Sequence, residues 1–131
     1  MIILEESYIS FYLRTNTIHI FVDALRGIGS PKYICLLIQK DGRTLAITPY
    51  KKKDFHSHRV SADVYDGTDG MEVTSMKLCR IVSEIHHWDP SKSYRIPGFV
   101  LSDHSAAIFS LTKAEIIDKP FVNFKYQYYS S

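Results

Sequence analysis

The sequence predicts an α+β fold, in which a mostly antiparallel sheet or partly closed barrel is built from two strand–helix–hairpin units. Residues 16–50 have the pattern of a strand, a short helix, a strand, a tight turn and a strand, and residues 71–111 repeat this order with a longer helix. The two tight turns consist of the turn formers Lys40–Arg43 and Ser102–Ser105. Seven Phe, nine Tyr and one Trp add a bias toward β structure. We therefore expect residues 1–131 to form a single domain with an internal repeat.

The first unit follows a candidate strand at Tyr8–Leu13, which is rich in aromatic and β-branched residues. Thr17–Phe21 alternates as a strand does, and the next residues change to the helical period until Gly29 ends the helix. Asp41-Gly42 is a strong hairpin signal, because both residues tolerate the positive φ that tight hairpin turns require. The first unit therefore ends in a hairpin over residues 32–48.

The second unit contains the principal helix. Before it, the alternation of Arg59–Tyr65 predicts a further strand. The helix itself is expected at about residues 75–88, because Ser75 supplies an N-cap and apolar residues recur at helical spacing. Its apolar face consists of Leu78, Ile81, Val82, Ile85 and Trp88. Ser93–Leu101 then begins a second hairpin, and Pro97-Gly98 predicts that this strand is an edge or carries a bulge.

The end of the chain predicts one more helix and one more strand. Thr112–Glu115 forms a capping box, so a short helix is expected to run to about Asp118. The alternation of Phe121–Tyr128 then predicts a strand with an aromatic face. Exposed edge strands recruit other chains, so candidate residues for binding a second copy or a protein partner are Phe124, Tyr126 and Tyr128. The alternative is that this strand pairs with Tyr8–Leu13 in the same sheet.

The apolar faces of these elements define a predicted core. Its members are Ile18, Ile20, Leu25, Ile34, Leu36, Leu45, Ile47, Leu78, Ile81, Val82, Ile85 and Phe109. Cys35 and Cys79 each stand in an apolar run, so we expect reduced, buried thiols. The N-terminus lacks the features of a signal peptide, and no apolar run is long enough to span a bilayer. These features predict a cytoplasmic protein that does not enter membranes.

The sequence predicts no metal, no cofactor and no catalytic residue. His56 and His58 stand on one side of an extended segment, but a structural zinc site requires four ligands. Ser102–Ser105 contains the residue types of a hydrolytic triad, yet consecutive turn residues cannot orient one another as nucleophile, base and support. The six glycines stand at turns and helix ends, so no phosphate-binding loop is present. An enzyme is therefore the least favoured class.

One dense cluster of positive charge occurs, at Lys51–Lys53 and Arg59. Lysines and arginines in such a run bind phosphates, and Arg14 and Arg26 are candidates to extend the patch. The net charge of +2 permits nucleic-acid binding without requiring it. The six candidate nucleic-acid-binding residues are Arg14, Arg26, Lys51, Lys52, Lys53 and Arg59. The alternative is a solvated loop.

Part of the first unit resembles the AbrB/MazE swapped-hairpin family. The resemblance covers residues 14–50 and is carried by Thr17-Ile18-His19-Ile20, by Ala24-Leu25 with Gly29, and by the hairpin ending Leu45–Pro49. Members of that family are dimeric bacterial transcription regulators or antitoxins. They bind DNA through basic residues around the first strand and loop, which Arg14 and Arg26 match here.

These observations lead to a small cytoplasmic regulatory binding protein that contacts nucleic acid. A protein-interaction module that uses the aromatic C-terminal strand is the alternative, and an enzyme of unknown type is the third hypothesis.

Overall fold

A computed structural model describes residues 5–117 of the chain. It has helices and an antiparallel sheet with one main helix, which confirms the α+β class. The strands are β1 (Glu5–Tyr12), β2 (Thr17–Phe21), β3 (Tyr33–Ile38), β4 (Thr44–Tyr50), β5 (His58–Arg59), β6 (Gly70–Thr74), β7 (Ser93–Val100), β8 (Ala107–Ser110) and β9 (Glu115–Ile116). The helices are α1 (Val22–Gly27), α2 (Ala62–Asp66) and α3 (Met76–His86), followed by a 3₁₀ turn at Leu111–Lys113. No helix within residues 5–117 has the length and apolar content that crossing a membrane requires.

The strands form one nearly closed, barrel-like sheet. Their order is β5-β3-β4-β8-β7-β1-β2-β6, and β9 adds to β7. Every pair in this order is antiparallel. No ladder joins β5 to β6 among the described residues, so the gap in the barrel lies between these two strands. In the chain, α2 occupies the connection between them.

Strands at matching places in the two predicted units pair with each other. Each unit has the order strand, helix, strand, strand: β2-α1-β3-β4 in the first and β6-α3-β7-β8 in the second. The first strands pair through Ile18↔Val73, and the last strands pair through Leu45↔Phe109. Antiparallel pairing of equivalent strands is what a local two-fold axis produces. That the two units superimpose by a rotation stays a prediction.

The barrel interior is filled by the inward residues of both units. Fully buried large side chains include Ile9, Phe11, Ile96 and Leu111, beside the predicted core residues Ile18, Ile20, Leu25, Ile34, Leu45, Ile47, Val82 and Phe109. Leu36 and Leu78 are partly buried against this core. Both cysteines are free and buried, as expected, and burial raises the pKa of Cys79 to about 11. The hydrophobic contribution of this core is the main stabilising term of the fold.

The predicted inner face of α3 is partly wrong. Ile81 and Ile85 are 37% and 47% exposed, whereas Cys79 and Val82 are buried. The apolar stripe is wider than the helix surface that the barrel covers, and the barrel covers the edge of the stripe that contains Cys79. Periodicity places residues on a stripe but does not determine which edge of the stripe packs inward.

Two further local predictions differ from the structure, and a third falls on residues that the structure does not describe. Of the strand expected at residues 59–65, only Arg59 is in a strand, the two-residue β5. The rest of the segment differs because Ser61 accepts a hydrogen bond from the Asp63 amide and starts α2. The expected helix from residue 112 to about residue 118 is a single 3₁₀ turn, and Glu115 pairs with Arg95 in β9. The strand expected at 121–128, with Phe124, Tyr126 and Tyr128, lies outside the described residues.

Pro97 lies in the middle of the sheet and not at its edge. On one side β7 pairs with β1 along its whole length. On the other side β9 pairs at Tyr94 and Arg95 and β8 pairs from Gly98 onward, which leaves a break in the ladder at Pro97. A residue without an N–H is tolerated at such a break.

The helices α1 and α3 lie at opposite ends of the barrel, and a histidine joins each of them to the other unit. Because β2 and β6 are antiparallel, the helices that follow them leave from opposite ends. At one end the His104 ring donates from Nδ1 to the Gly27 carbonyl of α1 over 2.6 Å. At the other end the His86 ring at the end of α3 donates from Nε2 to the Gly42 carbonyl over 2.7 Å. Each contact joins a helix of one unit to the hairpin turn of the other.

We predict that His86→Ala lowers the free energy of unfolding by roughly 0.5–1.5 kcal/mol, because one hydrogen bond between the units is lost. Urea unfolding followed by circular dichroism measures the change. Glu84→Ala on the exposed side of the same helix is the control and should change stability by less than about 0.5 kcal/mol. Equal effects of the two substitutions would show that the contact to Gly42 contributes nothing.

We predict that Gly98→Ala destabilises the barrel by roughly 1–3 kcal/mol, because a Cβ there meets the Ile108 carbonyl and the Phe109 side chain. Gly67→Ala is the matched control, since its Cβ meets only ordinary van der Waals neighbours at 3.7 Å and 3.8 Å and its φ is −107°. This control should be neutral or stabilising by up to about 1 kcal/mol. Thermal melts of both variants decide the comparison, and a neutral Gly98→Ala would contradict the close approach of β7 and β8.

Candidate functional site

A cluster of positive side chains gathers where β3 begins, β4 ends and β5 lies. Tyr33 is the cross-strand partner of both Tyr50 in β4 and Arg59 in β5. Lys32 precedes Tyr33 and Lys51 follows Tyr50, so cations from three neighbouring strands share one end of the sheet. Adjacent strands are about 4.8 Å apart, which brings their backbones within reach of one ligand. We define the basic corner as Lys32, Lys51, Lys52, Lys53 and Arg59, all of them exposed.

The basic corner has a large excess of positive charge. Residues 51–59 contain four lysines and arginines and a single carboxylate, that of Asp54. Lys32, which stands immediately before β3, adds a fifth cation. The whole chain carries a net charge of only +2, so the concentration of charge at this corner is a local property that the total hides.

Asp54 organises the loop that carries the lysines. Its carboxylate accepts from the Tyr50 hydroxyl over 2.9 Å and from the His56 amide over 2.8 Å. The Ser57 hydroxyl donates to the Asp54 carbonyl over 3.0 Å and closes the turn. The two hydrogen bonds to the carboxylate, above all the one from the His56 amide, lower the pKa of Asp54 and keep it ionised. The hydrogen bond that the Tyr50 hydroxyl donates to Asp54 raises the pKa of Tyr50. These contacts give the loop a defined turn.

This turn presents Phe55 to solvent. Phe55 is 91% exposed, the largest exposure of any large hydrophobic residue that the structure describes. The only ring close to it among the described residues is that of His56, with centroids 4.5 Å apart and planes tilted by 49°. Burying a phenylalanine stabilises a fold by about 1.5–3 kcal/mol, and this loop forgoes that gain. A solvent-exposed ring close to three lysines in the chain is available to a ligand.

The six residues predicted to bind nucleic acid do not all lie together. Lys51, Lys52, Lys53 and Arg59 belong to the basic corner. Arg26 lies on α1, and its Nη2 donates to the carbonyls of Tyr65 and Gly67 over 3.0 Å and 2.8 Å, which ties α1 to α2.

Arg14 lies away from the basic corner. It stands in the turn after β1, at the end of β7 that contains Ser93, because Tyr12 pairs with Ser93. At the opposite end of β7, Val100 pairs with Ala107 of β8, which pairs in turn with Ile47 of β4. The end of β4 therefore lies at the end of the sheet opposite to Arg14. Arg14 is instead near Asp89, where its charge adds to the hydrogen bonds from Ser91 that lower the pKa of that carboxyl.

The histidine and serine motifs have structural contacts. In the turn after β7, Asp103 accepts from both the amide and the hydroxyl of Ser105, while the ring of His104 contacts Gly27. These side chains therefore do not form a proton relay. His58 is half-buried, and burial lowers its pKa. Within residues 5–117, no group of three or more His, Cys, Asp or Glu side chains has the arrangement of a metal site.

Sequence reasoning missed Lys32 and Phe55. A phenylalanine inside the polar run 51–59 is the signal that identifies Phe55, because an apolar residue between lysines and histidines has no strand or helix period to join. Lys32 carries no such signal, since only the pairing of β3 with β4 and β5 brings it to the corner.

Comparison with protein-family models, with curated proteins and with solved structures gave no match for this chain.

Proposed function

We propose that this protein binds single-stranded nucleic acid through the basic corner and Phe55. The observation that carries the proposal is the almost wholly exposed Phe55 ring among five exposed cations. Proteins that bind single strands combine cations for the phosphates with aromatic rings on which bases stack. An unpaired base offers a free face to Phe55, whereas a base in a duplex is already stacked on its neighbours. The ligand is therefore a single strand or an unpaired end.

The organisation of the loop by Asp54 supports the proposal. Ordering a flexible loop on binding costs roughly 0.5–1.5 kcal/mol for each side chain that is immobilised. Hydrogen bonds from Tyr50, His56 and Ser57 hold the turn in place beforehand, so part of this cost is avoided. The lysines stay free to adjust to the phosphate spacing, because their ammonium groups stand on flexible stems.

The proposed function also includes a regulatory role and a cytoplasmic location.

The AbrB/MazE resemblance would place DNA contacts at Arg14 and Arg26. Arg26 is used to join two helices, and Arg14 lies at the other end of the strands. The proposal therefore depends on the basic corner and not on the family resemblance.

We predict that Phe55→Ala weakens binding of a labelled oligothymidylate about 5- to 150-fold, because base–aromatic stacking contributes about 1–3 kcal/mol per base. Fluorescence anisotropy at low salt measures the affinity, with Phe55→Trp as a control that keeps an aromatic face and should retain binding. Thermal melts should be unchanged, since Phe55 packs on no core residue within residues 5–117. Unaltered affinity of Phe55→Ala would exclude the ring as a stacking platform.

We predict that log K falls with log salt concentration with a slope of about −3.5, because each phosphate contact to a single strand contributes about −0.7. Replacing Lys51, Lys52 and Lys53 by Gln should reduce the slope to about −1.4. Arg14→Gln removes one exposed cation outside the basic corner and should leave the slope unchanged, whereas Lys52→Gln should reduce it by about 0.7.

Two results would count against the function itself. One is affinity for single strands that does not depend on salt. The other is binding of anionic lipid vesicles with no binding of oligonucleotides, since a basic loop with an exposed phenylalanine also suits a membrane surface.

A further inference from the structure

A second candidate site lies beside α1, and none of the residues that line it belongs to the basic corner. Two adjoining cavities, of about 420 Å³ and about 350 Å³, share the residues Glu6, Ser7 and Asp23. Together they form a continuous depression, which we call the α1 groove. Its apolar walls in the larger cavity are Tyr8, Phe21 and Val22. The volume is that of a small-molecule site.

The α1 groove is acidic. Its carboxylates are Glu5, Glu6, Asp23 and Asp69. No lysine or arginine within residues 5–117 forms a salt bridge with Glu5, Glu6 or Asp23. These three carboxylates are exposed, and none of them forms an ion pair with a lysine or arginine of the described chain.

The two arginines that line the groove are already engaged. Arg26 donates to the carbonyls of Tyr65 and Gly67. The Arg95 guanidinium lies over the ring of Tyr8, 5.5 Å from its centroid. This contact also shows that the Tyr8 face accepts a cation, the interaction expected between a guanidinium and an aromatic ring.

A buried imidazole stands behind the groove. The His19 side chain is only 10% exposed, and its Nε2 lies 3.1 Å from Asp69 Oδ1. This nitrogen nevertheless has no hydrogen-bond partner among the described residues. The His19 ring also contacts Phe21 edge to face, with centroids 4.5 Å apart. The buried imidazole therefore adjoins both an acidic and an aromatic member of the groove. Its Nε2 is close to the Asp69 carboxylate without the geometry of a hydrogen bond, a feature that calls for an explanation in a native structure.

We propose that the α1 groove binds a small organic cation that carries an ammonium or guanidinium group. The charge lies among Glu6, Asp23 and Asp69, and the hydrocarbon part lies on Tyr8 and Phe21. His19 keeps Asp69 and Phe21 in place. An anion is disfavoured, because carboxylates outnumber the cations of the groove and those cations are engaged. This site is separate from the nucleic-acid surface and does not depend on it.

The cation has two possible sources with the same chemistry, a free alkylamine or guanidine and the side chain of a basic peptide. The test is a titration of the isotopically labelled protein followed by NMR, with 1,4-diaminobutane, with arginine methyl ester and with a short peptide containing lysine and arginine. We expect saturable shifts at Tyr8, Phe21 and Asp23 and a response of the His19 ring. 1-Butanol and butyrate, which lack the positive charge, should bind at least about tenfold more weakly, a difference typical of losing one charge-assisted contact.

Variants separate this groove from general attraction of cations to an acidic surface. Asp23→Asn should weaken binding about tenfold, and Tyr8→Ala should weaken it by a similar factor through loss of the aromatic face. Glu84→Gln removes an exposed carboxylate on α3 and should leave the affinity unchanged. Asp69→Asn provides a second acidic substitution if Asp23→Asn reduces folding, which a thermal melt detects.

Binding of the peptide alone identifies a protein partner as the source of the cation, and binding of the free amines identifies a small ligand. The proposal is overturned if all the cations fail to give saturable shifts below about 10 mM, a limit weaker than ordinary small-ligand sites. It is also overturned if 1-butanol binds as well as 1,4-diaminobutane, or if Asp23→Asn and Glu84→Gln have equal effects. Oligonucleotide binding by Asp23→Asn should remain normal, so failure of either proposal is distinguishable from failure of the other.

Discussion

The barrel depends on the pairing of strands from one half of the chain with strands from the other. The ladder between β2 and β6 and the ladder between β4 and β8 join the two predicted units through their strands. Without them the first unit would expose unpaired backbone groups along β2 and β4, and the second unit would expose them along β6 and β8, which is unfavourable for a strand edge. The same ladders set Ile18 opposite Val73 and Leu45 opposite Phe109, so the core consists of residues from both units.

This pairing also determines where the helices and the surfaces lie. Antiparallel β2 and β6 send α1 and α3 to opposite ends of the barrel, and the rings of His104 and His86 then join each helix to the turn of the other unit. The α1 end carries the acidic groove, because β1 begins there and contributes Glu5 and Glu6. The basic corner forms where β4 and β5 both flank the beginning of β3. Both proposed binding surfaces therefore lie at the ends and edges of strands, and the interior serves packing.

The two candidate surfaces have opposite charge, although the chain as a whole is close to neutral. Cations collect at the basic corner and carboxylates collect along the α1 groove, and each place also exposes aromatic rings. The two surfaces therefore differ in the sign of their local potential, which the net charge of the chain hides. Arg26 and Arg95 are the exceptions that lie on the acidic side, and both are held by carbonyl groups or by an aromatic ring.

Local pattern was enough to predict the class of fold, the hairpin at Asp41-Gly42, the main helix near 75–88 and most of the core, because strand and helix periods and turn residues act over a few neighbours. It also identified Lys51–Lys53 and Arg59 as a cluster, because these residues are close in sequence.

Contacts between distant segments settled three other features. These are the edge of α3 that faces the barrel, the helix at Ala62–Asp66 and the internal role of Arg26. Lys32 at the basic corner, and the meeting of β1 with α1 that forms the groove, depend on long-range strand pairing. What the sequence by itself determined is thus the set of elements and their apolar faces. Only the tertiary structure decided which charged side chains are free to meet a ligand, because that depends on neighbours that are far apart along the chain.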